Sequence, residues 1–193
     1  MIGKVIFTLF ISLSVVSSTF AQRQKTVLIT YYSKTSSTKA MAEEVAKGAG
    51  TVSEVKVVLK SVDATSMQDL IEADAIILGS PVYNANVAPE VLEFIRKWPF
   101  ENQAMKDKLG AVFVSAGGMS SGEELVQANL LHAMMIFGMV VMGGEEWTAA
   151  FGASAVTHES PFDINQQKKI DPVFLKKGYG LGKRVAEWTK KIK

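Results

Sequence analysis

Short apolar runs alternate with amphipathic stretches along most of the chain. Residues 27–32 (Val-Leu-Ile-Thr-Tyr-Tyr) form a nearly continuous apolar run, as a strand buried on both faces must. Met41, Ala42, Val45, Ala46 and Ala49 then recur at the spacing of one helical stripe. Residues 55–59 read as a second strand, residues 75–79 as a third, residues 111–115 as a fourth, and residues 139–142 begin a fifth. Pro89 suits the first turn of a helix whose Val91, Leu92, Ile95 and Trp98 share a face. Val126, Leu130, Ala133, Met134 and Phe137 make another stripe, closed by Gly138 at the left-handed stop position. Leu181, Val185, Trp188 and Ile192 line a last helix. Strands alternating with amphipathic helices predict right-handed βαβ units and a parallel sheet covered on both sides.

Before that pattern starts, residues 5–16 form an apolar run behind Lys4, and Thr19-Phe20-Ala21 places small residues where a signal peptidase reads them. Residues 1–21 are therefore expected to be a signal peptide, and residues 22–193 a single exported domain, periplasmic or secreted. A retained anchor is the alternative, although the run is shorter than the ~20 residues that a spanning helix needs. Composition narrows the chemistry. With 193 residues, 48% of them hydrophobic, the chain can bury one sizeable core and is not disordered. The absence of cysteine excludes disulfides, a bacterial lipoprotein anchor, thiolate catalysis and iron-sulfur clusters. His132 and His158 lie far apart, so no metal centre is expected. A formal charge of +2 gives no bulk attraction to nucleic acid.

A doubly wound sheet binds its ligand beyond the carboxyl ends of its strands, where the winding direction reverses. The loops after the first, third and fourth predicted strands therefore matter most. The first is Ser33-Lys34-Thr35-Ser36-Ser37-Thr38, hydroxyl-rich and placed between a buried strand and a helix start. It reads either as a seat for a phosphate monoester or as a polar turn in which Ser36 or Ser37 caps the helix. It has neither the P-loop spacing nor the dinucleotide glycine fingerprint. The second loop, Gly79-Ser80-Pro81-Val82-Tyr83-Asn84-Ala85-Asn86, offers an aromatic ring and amides. The third, Ser115-Ala116-Gly117-Gly118-Met119-Ser120-Ser121-Gly122, offers glycines that allow close approach. Together they suit a flat heteroaromatic group held by backbone hydrogen bonds, whereas each alone also fits an ordinary turn.

Residues 31–38, the Gly79-Ser80-Pro81-Val82-Tyr83 segment and the Ser115-Ala116-Gly117-Gly118 loop ahead of Gly138-Met139-Val140-Val141 resemble the flavodoxin-like flavoproteins. Within them the chain is most similar to the NAD(P)H:quinone oxidoreductases that resemble tryptophan-repressor-binding protein. The resemblance covers residues 26–192 and implies a three-layer α/β/α sandwich on a five-stranded parallel sheet of order 2-1-3-4-5. It also implies FMN as cofactor, NAD(P)H as reductant, a quinone or similar small acceptor, and a homo-oligomer. By similarity, Ser33, Lys34, Thr35, Ser36, Ser37 and Thr38 hold the FMN phosphate. Pro81, Val82, Tyr83 and Asn84 border the isoalloxazine, and Ser115, Ala116, Gly117, Gly118, Met119 and Ser120 close its other side. An aromatic substrate-stacking group of this branch maps near Phe100, with Trp98 beside it.

The chain departs from the family pattern at three places. Ser36 stands where flavodoxins usually have glycine, Ile136-Phe137 where the branch often has a histidine, and Thr35 where it has a tyrosine. Charge is also uneven: residues 22–167 carry 11 basic and 17 acidic groups, residues 168–193 carry 9 and 2. The basic end reads as a solvated helix face or as a contact with an anionic membrane through Lys183, Arg184, Lys190, Lys191 and Lys193. The glycines of Gly178-Tyr179-Gly180-Leu181-Gly182 read as close helix packing, because no strand precedes them. No protein acid or base is required, so no catalytic side chain is expected: the flavin carries the chemistry and the protein orients it. His158 is a loop histidine within possible reach of the cofactor, and Glu123 and Glu124 favour a helix dipole. An FMN oxidoreductase therefore stands beside an exported electron-transfer or binding module without NAD(P)H-dependent turnover.

Overall fold

The computed structural model describes residues 23–162 and 170–192. The expected signal peptide and Lys193 lie outside the described residues. A parallel sheet is formed by β1 (Lys25–Tyr31), β2 (Val55–Ser61), β3 (Ala75–Tyr83), β5 (Leu109–Ala116), β6 (Val140–Val141) and β7 (Ala153–Val156), and the two-residue β4 (Asn86–Val87) pairs antiparallel with β3. The helices are α1 (Ser37–Ala49), α2 (Met67–Glu72), α3 (Pro89–Arg96), α4 (Glu123–Ile136) and α5 (Pro172–Lys191).

The order β2-β1-β3-β5-β6 is the flavodoxin-like winding that the resemblance implies. The fifth position differs from a single strand. β6 pairs with Leu109 and Gly110 at the start of β5, whereas β7 pairs with residues 113–116 at its end. Between them the chain leaves the sheet and folds back, with Gly144 N–H donating to Ala149 O at 2.8 Å. Arg184 of α5 donates to the carbonyls of Gly143 and Gly144 and ties this excursion down.

Each strand feeds two cores because its side chains alternate across the sheet. Val27, Ile29, Ile77, Ala111 and Phe113 pack beneath α1 and α5. Leu28, Ile76, Leu78, Val112 and Val114 pack with α3 and α4 on the opposite face. Gly79 makes room for one large ring, since a first side-chain carbon there would lie 2.2 Å from Phe113. Some edges of the predicted stripes shift. In α3 it is Val91 and Phe94 that are buried, whereas Leu92 is exposed, and in α5 Leu181 and Val185 are buried while Trp188 is exposed. α2 escaped the periodicity because it has only six residues. Its signal is a capping box: Ser66 Oγ accepts from Asp69 N–H, and the Asp69 carboxylate accepts from Ser66 N–H.

The glycines of α5 are a packing device. A first side-chain carbon at Gly182 would sit 1.9 Å from Val45 O, and one at Gly48 the same distance from Tyr179 O, so the α1 and α5 backbones touch. The basic groups of α5 are largely engaged within the chain. Besides Arg184, Lys190 pairs with Glu54 at 2.7 Å and Lys176 with Glu146 at 3.6 Å. These pairs fit a solvated, internally paired face. Among the described residues, no helix is long and apolar enough to cross a membrane, and no acidic or histidine cluster could hold a metal ion.

Two predictions follow from this packing. Gly182→Ala forces α1 and α5 apart and should destabilise the fold by about 1–3 kcal/mol or more, read as a lower urea midpoint; an unchanged midpoint would contradict the backbone contact. Asp69 is held at a pKa of about 2, first by hydrogen bonding to Lys60 and then by Ser66. Its depressed folded pKa means that its contribution is complete above the ordinary carboxylate range and is lost as pH falls toward about 2. The stability difference between wild type and Asp69→Asn should accordingly stay constant from pH 6 to about pH 5 and shrink from there to pH 3 in urea melts.

Candidate functional site

The carboxyl ends of β1, β3 and β5 lie side by side, with Tyr31 in register with Gly79 and Pro81 with Ser115. The three loops predicted to matter therefore converge on one edge of the sheet. An open groove of about 810 Å³ there is lined by Lys34 and Thr35 of the first loop and by Val82, Tyr83, Asn84 and Asn86 of the second.

In the first loop the helix-capping reading fails. Ser36 holds the N-cap position of α1 without a side-chain cap bond. Instead, Ser33 Oγ accepts from Lys39 N–H at 3.2 Å, one turn further on. Among the described residues, the backbone N–H groups of Lys34, Thr35, Ser36, Ser37 and Thr38 have no protein acceptor. They stand at the positive end of the thirteen-residue α1. Ser36 has φ 72°, the left-handed region that glycine enters freely, which explains why the family pattern favours glycine here. Thr38 is not a surface hydroxyl: it is buried and bonded to the buried Ser115 Oγ at 2.8 Å. These two side chains join the first loop to β5 instead of facing the groove.

In the second loop β3 turns tightly into β4 through Asn84 and Ala85, with φ 51° and 60°, the signature of a primed hairpin turn. Pro81 is buried, Val82 and Tyr83 are half-buried, and Asn84 is exposed. Ser80 Oγ accepts from Ala88 N–H at 3.1 Å and donates to Pro81 O at 2.7 Å, which holds the hairpin base. Burial, followed by the charge of Glu90, pushes the Tyr83 phenol up. A hydrogen bond to Glu90 pushes Tyr32 up to about 12. Both phenols are therefore neutral donors near pH 7, and neither is suited to act as a base.

The third loop meets the second where Gly122, φ 103°, lies against Ala85: a first side-chain carbon on Gly122 would be 2.6 Å from the Ala85 Cα. Gly117 is exposed, and a side chain there would meet nothing within 4 Å. Most of this loop's N–H groups are already bonded. Glu159 accepts from Met119 N–H at 2.6 Å, and Glu123 accepts from Ser120 and Ser121 N–H, each at 3.1 Å. Among residues 117–121, only the N–H groups of Gly117 and Gly118 have no protein acceptor within the described residues. Ala116 is buried in β5, while the Met119 and Ser120 side chains are exposed.

Trp98 and Phe100 do not belong to this edge. They follow the C-terminus of α3, and Trp98 is 4% exposed and packed against Phe94 and Phe137. Phe100 packs on Phe137, which ends α4 just ahead of β6. Helices that return antiparallel to the strands end at the strands' amino edge, so within one chain this pair lies across the sheet from the groove. The substrate-stacking role expected for them is therefore not supplied at this groove by residues of the same chain. Glu90 and Glu159 carry no signal in the sequence, because an isolated acidic residue has no spacing pattern. Glu123 adds to its place at the helix dipole two bonds from the third loop.

Residues 60–154 match the family model described as NADPH-dependent FMN reductase. A flavodoxin of Aquifex aeolicus is 31% identical over 169 residues, covering 84% of this chain and 86% of the relative. A flavodoxin of Clostridium saccharobutylicum is 29% identical over 168 residues, covering 86% of this chain and 98% of the relative. The crystal structure of the flavodoxin, WrbA-like protein from Agrobacterium tumefaciens superposes with a TM-score of 0.70 at 21% identity, covering 88% of this chain and 99% of that one. A shared winding order, three loops meeting on one edge and extended identity over most of both chains place this protein in the flavodoxin-like family of FMN proteins.

Proposed function

We propose that this chain binds FMN at the carboxyl edge of its sheet and acts as an NAD(P)H-dependent oxidoreductase on quinones or similar small acceptors. One observation carries the reading: the five successive N–H groups of residues 34–38, at the positive end of α1, have no acceptor among the described residues. Such a row fits the oxygens of a phosphate monoester, and Lys34 adds a cation at the groove. The rest of the site fits the remainder of the cofactor. Val82 and Tyr83 supply an apolar wall, Asn84 a polar rim, and Gly117 an open approach with its own N–H and that of Gly118 available.

Bound FMN would supply reversible one- and two-electron chemistry. The chain's residues bind and orient. The Thr38–Ser115 bond fixes the phosphate loop relative to β5, the hairpin at Asn84 and Ala85 fixes Tyr83, and the contact of Gly122 with Ala85 fixes the third loop against it. The match to NADPH-dependent FMN reductase supports the reductant, and the expected leader supports export. The same reading includes assembly into a homo-oligomer. A second reading, electron transfer without NAD(P)H-dependent turnover, is favoured by the flavodoxin relatives and by Thr35 standing where the quinone-reductase branch has its tyrosine.

Residues 22–193 incubated with FMN should yield a yellow protein, and riboflavin, which lacks the phosphate, should bind at least about a hundredfold more weakly because charge-assisted bonds are lost. Equal affinity for the two flavins would remove the phosphate seat. NADPH or NADH should bleach the yellow protein anaerobically, and added benzoquinone should restore the colour. A protein that binds FMN but is bleached only by dithionite would favour the electron-transfer reading.

A further inference from the structure

The third loop is held from the side of the sheet's last strand. Beyond β7 the chain continues alongside it, with Thr157 N–H donating to Ala116 O at 3.0 Å and His158 N–H to Gly117 O at 2.7 Å. The Thr157 hydroxyl, itself buried, adds a bond to Ala116 O at 2.9 Å. Backbone pairing stops there, and the next link is a side chain: Glu159 Oε2 accepts from Met119 N–H at 2.6 Å. Phe162 N–H donates to Glu159 O at 2.7 Å and fixes the main chain from which the carboxylate reaches. Gly118 is what lets the carboxylate in, since a first side-chain carbon there would lie 2.6 Å from Glu159 Oε2. The loop and the carboxylate are therefore fitted to each other from both sides.

We infer that Glu159 is a positioning residue of the cofactor site, a clasp that holds Gly117 and Gly118 with their N–H groups presented to the flavin. The inference rests on the proposed FMN reading for its functional half, while the clasp itself stands on hydrogen-bond geometry alone. An ionised acceptor on a backbone N–H makes a strong bond, and its loss frees the loop between Gly117, bonded to His158, and Ser120, bonded to Glu123. Glu159→Gln keeps a carbonyl oxygen able to accept from Met119 N–H, whereas Glu159→Ala keeps none. Gly118→Ala leaves Glu159 in place chemically but pushes its carboxylate off the seat.

Amide hydrogen exchange of the FMN-free protein, read at Met119, tests the clasp. The amide should exchange at least about tenfold faster in Glu159→Ala and in Gly118→Ala than in wild type, with Glu159→Gln between wild type and Glu159→Ala because its neutral oxygen keeps the bond without the charge. Wild-type exchange in Glu159→Ala would overturn the clasp. FMN affinity then tests the positioning role: Kd should rise about tenfold or more in Glu159→Ala and Gly118→Ala and recover in part in Glu159→Gln, with β-strand amides as protected as in wild type. Faster exchange combined with an unchanged Kd would overturn the positioning role. A wild-type protein that binds no FMN fails the functional reading instead, and the exchange comparison distinguishes that failure from a failed clasp.

Discussion

Among the described residues, five backbone N–H groups at the entrance to α1 have no acceptor, and the surrounding structure is arranged to keep them that way. A helix start in a soluble protein usually satisfies such groups with a capping side chain. Here Ser36 holds the cap position without capping, and Ser33 reaches past it to Lys39. The left-handed backbone at Ser36, which a non-glycine residue adopts at a cost of about 1–3 kcal/mol, is part of the same arrangement. Local strain and unmet donors at one turn are the features expected of a loop built around an external anion.

The fold supplies the rigidity. α1 must be held at a fixed height for its first turn to face the groove, and the direct backbone contact with α5 at Gly48 and Gly182 does this more tightly than side-chain packing would. From the opposite direction, the buried Thr38–Ser115 bond secures the loop to the central strand. The second and third loops rest on each other at Ala85 and Gly122, so the three parts of the site are positioned by contacts that do not themselves need a ligand. The split fifth strand preserves this geometry: its second half, β7, runs beside the end of β5 and continues into the segment that clasps the third loop.

Much of this was legible in the sequence. Strands buried on both faces give continuous apolar runs, and helices covering them give clean stripes, so the alternation and the three important loops could be read directly. The glycines of α5 were legible as packing because no strand precedes them. Other features were not. The break in the fifth strand depends on where Gly143 and Gly144 fold back, which period-two patterning does not record. Thr38 and Ser115 look like ligand-facing hydroxyls in the chain and become partners only when the sheet brings them together over 77 positions. Trp98 and Phe100 were carried to the site by resemblance, while the direction of α3 carries them to the opposite edge. Glu159 acts through a single tertiary bond, and nothing in its neighbours announces it.

The most direct measurement is the amide spectrum of the isotopically labelled domain during titration with FMN. The account predicts that the largest shifts occur at Lys34 through Thr38, with a second group at Gly117 and Gly118, and that inorganic phosphate alone moves the first group. FMN shifts that spare residues 34–38, or that centre on α5, would contradict it.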